Sequence, residues 1–256
     1  MLRQHRTFRI GLVLALCLGS ASTFAQSSGV EGSAQGPIPH NGQSSSWTIA
    51  LAVAWDSHYV SEGRDNLGGH GLVGTVIEAA LDGFSLGSWY GASPSVDYQE
   101  YHLFLSYGRS VGDVDWYVGV QSVDVIGHGS TDLEVGAGLA YIGLPNWMVA
   151  IDWYHSKDAS GSFFEASIHR PLILSETSVI TPYLIAGWNE GYVSEGHRHG
   201  NHITMGLELS YALGASTELS AYVAHNWAIG KNEEQWLDDE LLKNFAYAGF
   251  AWHWHF

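Results

Sequence analysis

Carboxylates recur in this chain at positions whose immediate neighbours are apolar. Glu78, Glu134, Asp152, Glu165 and Glu208 follow that pattern on both sides, and Glu100 and Asp132 on one side. If each sits on a strand, period-two geometry sends its carboxylate to the face opposite the large apolar side chains. Histidine is the second chemical feature, with 14 residues against 10 Lys and Arg together. His197, His199 and His202 are spaced so that neutral imidazoles could hold Zn or Cu. The same spacing is also what ordinary polar loop histidines show. Cys17 is the one cysteine, so no thiolate supports such a site. A third feature is the pairing of His102 with Ser106, and of Asp152 with Tyr154, on shared faces. Serine hydrolases use pairings of this kind. However, the chain has no G-x-S-x-G elbow, and a sequence this rich in His and Ser pairs them by chance. No catalytic residue and no cofactor is therefore assigned.

The elements that carry these groups read as strands. Trp47, Ile49, Leu51, Val53 and Trp55 share one face of the first, opposite Thr48, Ala50, Ala52, Ala54 and Asp56. The stretch at 132–141 repeats this alternation, as does the one at 203–211. About twelve strands are expected. They begin near Trp47, Gly71, Phe84, Tyr98, Val114, Asp132, Trp147, Ser162, Val179, His202, Thr217 and Asn244. Tight turns follow strands two, four, six and ten, and the turn after strand eight is somewhat longer. Polar loops follow the odd strands. Trp47 and Trp55 would be roughly 26 Å apart along a strand, at about 3.3 Å per residue. A tilt of about 40° reduces that to roughly 20 Å along a membrane normal, near the ~25 Å apolar band of a transmembrane barrel.

The last strand indicates a compartment. Phe250, Trp252, Trp254 and Phe256 alternate along it, and a bare aromatic edge in water invites aggregation. A closed barrel in lipid uses such a strand, with the aromatic face turned outward and the edge paired to the first strand. The four aromatics would also serve as a membrane-insertion signal for the barrel assembly machinery. At the other end, Arg3, Arg6 and Arg9 precede an apolar run and the small residues before Ala25, the pattern of a secretory signal peptide. The expected organisation is a signal peptide at 1–25, a Ser/Gly-rich periplasmic leader at 26–45 and an outer-membrane β-barrel at 46–256. The fold class is all-β, a transmembrane antiparallel up-and-down barrel of about 12 strands. A soluble sandwich or lipocalin-like barrel would share the alternation. It would not explain the secretion signal, the aromatic end and the loop asymmetry together.

Function follows from the inward face. The formal net charge is −16, which excludes nucleic acid as a partner, because phosphate contacts need Lys and Arg. Inward carboxylates with little counter-charge favour cations in a narrow pore. The leading expectation is a narrow, acidic-lined channel passing small solutes or cations across outer-membrane lipid. The alternatives are a closed barrel whose outer loops bind metal or a surface partner, and an outer-membrane lipid-modifying enzyme.

Two local patterns remain. Tyr59-Val60-Ser61-Glu62-Gly63 recurs as Tyr192-Val193-Ser194-Glu195-Gly196, each copy opening a long outer loop. The echo joins non-equivalent loops, so it does not imply a duplicated barrel. Tyr59-Val60 with Gly63, Gly87-Ser88-Trp89, and Glu100 opening the fourth strand together resemble the TorF-like putative outer-membrane porins, a family of largely unknown function. That family tends to have an aromatic and an Arg before the Gly, where Ser61 and Glu62 stand here. The resemblance implies an outer-membrane barrel and solute uptake, and it supplies no catalytic residues.

Overall fold

The computed structural model describes residues 47–127, 129 and 131–256. The expected signal peptide, the leader and His128 lie outside the described residues. Twelve antiparallel strands form the wall. The first six are β1 (Thr48–Asp56), β2 (Leu72–Leu81), β3 (Phe84–Ala92), β4 (Gln99–Val111), β5 (Val114–Val125) and β6 (Thr131–Tyr141). The second six are β7 (Met148–Ser156), β8 (Gly161–His169), β9 (Ser178–Glu190), β10 (His199–Gly214), β11 (Thr217–Ala228) and β12 (Phe245–His255). The expected starts fall within one residue of these, except for β10, which begins three residues earlier.

The sheet closes on itself. β12 pairs with β1 from Ala50↔His255 to Asp56↔Gly249. Beyond the strand proper, Ile49 and Phe256 exchange backbone hydrogen bonds of 3.1 and 2.8 Å. The aromatic strand therefore has no free edge, which removes the aggregation hazard its sequence suggests. Short turns occupy one end, at 82–83, 112–113 and 215–216. Longer segments occupy the other, including the hairpin Val60–Ser61 with Arg64–Asp65 and the 3₁₀ turn Leu237–Glu240. In outer-membrane barrels the short turns are periplasmic.

The two faces divide as the alternation requires. Phe250 is 55% exposed and Ile77 52%, because their face meets lipid rather than water. The inward residues Ala50, Ala52, Ala54, Trp89, Phe104, Tyr117, Tyr183 and Tyr222 are buried. The core of the molecule is therefore the barrel interior, where rings fill the space between strand walls.

Glycines make that filling possible. Tyr117 is the register partner of Gly138, Tyr183 of Gly206, Tyr222 of Gly249 and Phe104 of Gly87. In each pair the ring lies against the place where a Cβ on the glycine would stand. The ring covers the bare backbone of the next strand, so cross-strand pairs are satisfied inside the barrel as well as in the ladder. Gly206→Ala is expected to destabilise the folded barrel by about 1–3 kcal/mol through overpacking, because all the atoms its Cβ would meet most closely belong to Tyr183. Adding Tyr183→Ala should remove most of that penalty. Denaturant unfolding in detergent micelles, followed by circular dichroism, measures both; additive losses would contradict the ring-on-glycine account.

Candidate functional site: the acidic interior and its outer cap

The strands turn all seven expected carboxylates inward. Glu78, Glu100, Glu134, Asp152 and Glu165 are buried, while Asp132 and Glu208 are half-buried. Few of them are bare. Ser85 donates to Glu78, and Ser156 to Asp132. Gln121 donates to Glu134 at 2.6 Å, and Tyr154 to Glu165 at 3.1 Å. Tyr59 donates to Glu100 at 2.7 Å, with Tyr98 and His102 on the same carboxylate. A carboxylate away from water must be hydrogen-bonded or paired, and here hydroxyls do most of that work.

Two further contacts share one construction. Tyr117 on β5 lies over Gly138 on β6 and donates to Asp152 on β7 at 2.8 Å. Tyr222 on β11 lies over Gly249 on β12 and donates to Asp56 on β1 at 2.6 Å. Each row spans three strands in direct register. The rows stand six strands apart in a ring of twelve, on opposite sides of the interior. A Cβ on either glycine would meet both the ring and the carboxylate, so glycine is what lets a tyrosine reach the second strand over.

The outer mouth carries a cap built from the long loops. Tyr59 and Tyr192, the leading residues of the two Tyr-Val-Ser-Glu-Gly copies, both turn inward, to Glu100 and Glu134. Burial raises both phenol pKa values well above the ordinary tyrosine range, and the adjacent carboxylates add to the shift, so both rings stay protonated donors. Behind them sits Arg64, in the loop after β1, which is 2% exposed and holds the cap together. Its Nη1 donates to Asn201 Oδ1 at 2.8 Å and to Glu62 O at 3.2 Å, and its Nη2 lies 3.5 Å from Asp239 Oδ1. Asp239 also accepts from the Asn232 backbone at 2.8 Å and from His197 Nδ1 at 2.8 Å. The loop after β1, the loop after β9 and the loop after β11 are thus joined at one buried carboxylate. A Cβ on Gly196 would collide with the Arg64 guanidinium, so the second copy's glycine makes room for the first copy's neighbour.

The structure does not bring the three histidines together. His197 points into the cap, with Nδ1 on Asp239 and Nε2 2.8 Å from Gly200 O. His199 is exposed, 3.7 Å from Glu190 and edge-on to Trp188. His202 is fully buried, stacked on Phe163 and 3.7 Å from Glu165. The cause is a bulge: Gly187 pairs with His202 and Trp188 with Gly200, so Asn201 is the extra residue and both it and His202 face inward. Among the described residues no three His, Cys, Asp or Glu side chains gather closely enough for a metal ion. His102 and Ser106 do share the inward face, but Phe104 is the inward residue between them and His102 is engaged by Glu100. Phe250, Trp252 and Phe256 are exposed on the outward face, and Trp254 is half-buried there.

Sequence reasoning missed Asp115 and Glu218 on the inward face, together with Asp239 in the cap. The alternation of Glu218, Ser220, Tyr222, Ala224 and Asn226 along β11 was the available signal for Glu218. Nothing local signalled Asp239, whose partners are remote in sequence.

No family model and no curated protein sequence matches the chain. Solved structures do match its fold. A KdgM porin is similar with a TM-score of 0.55 and 10% identity, over 81% of this chain and 98% of that one. A KdgM porin in complex with disordered oligogalacturonate gives 0.54 and 11%, over 81% and 98%. A NanC porin gives 0.50 and 7%, over 80% and 98%. At these identities the likeness shows the fold alone, a closed antiparallel barrel of the kind those porins have, in agreement with the lipid-facing belt.

The cap carries a pH dependence with a defined sign. Burial raises the pKa of Asp239, but the hydrogen bonds from Asn232 and His197 outweigh it and hold the carboxylate below its ordinary value. A depressed pKa contributes stability that is present above the unfolded value, about 3.9, and lost as pH falls through the folded one. Amide protection in 57–71 and 229–244 should therefore persist at neutral pH and collapse under strong acid, as read by hydrogen exchange corrected for intrinsic rates. Asp239→Asn should loosen the same segments at neutral pH, costing the cap about 3 kcal/mol. Unchanged protection in that variant would contradict this account of the latch.

Proposed function

We propose that the protein is a narrow outer-membrane channel for small solutes, with a preference for cations. The observation that carries this reading is charge placement. Among the described residues of the twelve wall strands the one Lys or Arg is Arg109, and it lies at the short-turn end of β4 against Tyr107. The interior therefore presents carboxylates with hydroxyl donors and no fixed cation on the wall. A permeating cation would find partial compensation at every level of the pore, while an anion would meet repulsion. Oligogalacturonate, the polyanion bound by one of the similar porins, is a poor fit to such a lining, so the solute differs in charge. The TorF-like resemblance, on Tyr59-Val60, Gly63 and Glu100, agrees with solute uptake. We include in the proposal export through the signal peptide at 1–25 and assembly guided by Phe250, Trp252, Trp254 and Phe256.

Passage requires the cap rings to move. Tyr59 is 3% exposed, and Tyr98 and Tyr192 crowd the same mouth as Tyr59. This burial also favours a second reading, a closed barrel whose outer loops bind a partner. The two separate in planar bilayers. The channel reading predicts small cation-selective steps in a KCl gradient, with larger conductance in Tyr59→Ala/Tyr192→Ala. No conductance in either protein would favour the closed barrel, and an anion-selective reversal potential would overturn the cation preference.

A further inference from the structure

The periplasmic end of the interior differs from the outer end. There β10, β11 and β12 bring together Glu208 and Ser210, Glu218 and Ser220, and His253 and His255. Register places them side by side: Ser210↔Ser220 and Glu218↔His253 are direct cross-strand partners, with Cβ atoms about 5 Å apart. Ser210 Oγ is 3.3 Å from Glu208 Oε1 and also within hydrogen-bonding reach of Glu218. The single Ser210 proton can satisfy one carboxylate at a time, so the other of this neighbouring pair is left without it. No Lys or Arg occurs on β9 to β12 or on β1, so the wall supplies no counter-ion.

A second, independent feature points to a ligand. His253 is 5% exposed. Its Nε2 is 3.0 Å from Ser220 Oγ, and its Nδ1 is buried with no hydrogen-bond partner. A ring that donates through Nε2 leaves Nδ1 as a lone-pair acceptor, and an acceptor buried without a donor costs stability until one arrives. At His255, also half-buried at this mouth, neither ring nitrogen has a hydrogen-bond partner. Glu208, Ser210, Ser220 and His255 are half-exposed, whereas Asn189, Thr204 and Asn226 toward the outer end are fully buried. The cluster is therefore approached from the periplasmic side.

We propose that this corner binds an organic cation, an ammonium or guanidinium compound, whose N–H groups reach both carboxylates and His253 Nδ1. The acceptors do not converge on a point as a metal ion requires. A guanidinium spreads several donors over a plane and can serve separated acceptors together. The proposal rests on the cation-preferring reading of the interior and names the class of cation at its inner end.

Isothermal titration of agmatine into the purified barrel in detergent tests it. Saturable binding is expected, weakened about tenfold or more in Glu208→Gln/Glu218→Gln through loss of charge-assisted bonds. If that variant fails to fold, judged by heat-modifiable migration, His253→Leu provides the second test, with weaker binding expected. No saturable heat, or equal affinity in a folded variant, would overturn the site. Zinc chloride competing more tightly through the same residues would overturn the organic-cation assignment. Bilayer recordings separate this proposal from the channel reading. Cation-selective conductance without agmatine binding removes the site alone. Agmatine binding without conductance removes the channel and leaves the site as that of a closed barrel.

Discussion

A carboxylate inside a barrel whose inward strand positions carry no Lys or Arg must be satisfied by hydroxyl, amide or imidazole donors, and the rest of this structure follows from that constraint. Tyrosine suits the task because its ring fills interior volume while its hydroxyl reaches across a strand. The reach requires glycine on the strand between, and the register requires that glycine to stand directly opposite the ring. Tyr117–Gly138–Asp152 and Tyr222–Gly249–Asp56 meet all three conditions. One chemical need thereby sets the ring positions, the glycine positions and the strand pairing together. Such consistency across levels is what makes a sequence specify one fold.

The same logic organises the outer mouth with one difference. There the donors come from loops, and a single buried arginine appears. Arg64 and Asp239 are both nearly inaccessible, and removing either partner of such a pair leaves an uncompensated buried charge. The cost enforces a closed loop arrangement, which in turn places Tyr59 and Tyr192 over the lumen. The repeated Tyr-Val-Ser-Glu-Gly segment acquires a structural meaning here: each copy lowers one tyrosine onto one wall carboxylate.

The wall was readable from the sequence because lipid outside and a polar-aromatic filling inside impose a strict period of two. Leu133, Val135 and Leu139 against Asp132, Glu134 and Gly138 allow only one facing. The pairing of β12 with β1 was readable for a related reason, since an aromatic strand with an open edge has no other stable place. The cap was not readable. Arg64 in a polar loop looks solvent-exposed until Asp239, far along the chain, is brought against it. The His197, His199 and His202 cluster failed on a detail of the same kind, a bulge at Asn201 that turns two consecutive side chains inward and breaks the alternation on which the spacing argument relied. Glu218 was readable in principle, but its strand has less contrast between faces, with Thr217 and Leu219 beside it.

The most direct measurement is a double-mutant cycle between Tyr117 and Asp152. Tyr117→Phe removes the donor and Asp152→Ala removes the acceptor. If phenol hydroxyls hold the interior charge, unfolding free energies should show a coupling of about 1.5–3 kcal/mol, the range for a hydrogen bond to a charged group. Additive losses would mean that Asp152 is stabilised by something other than the tyrosine. The constraint from which this account starts would then be wrong.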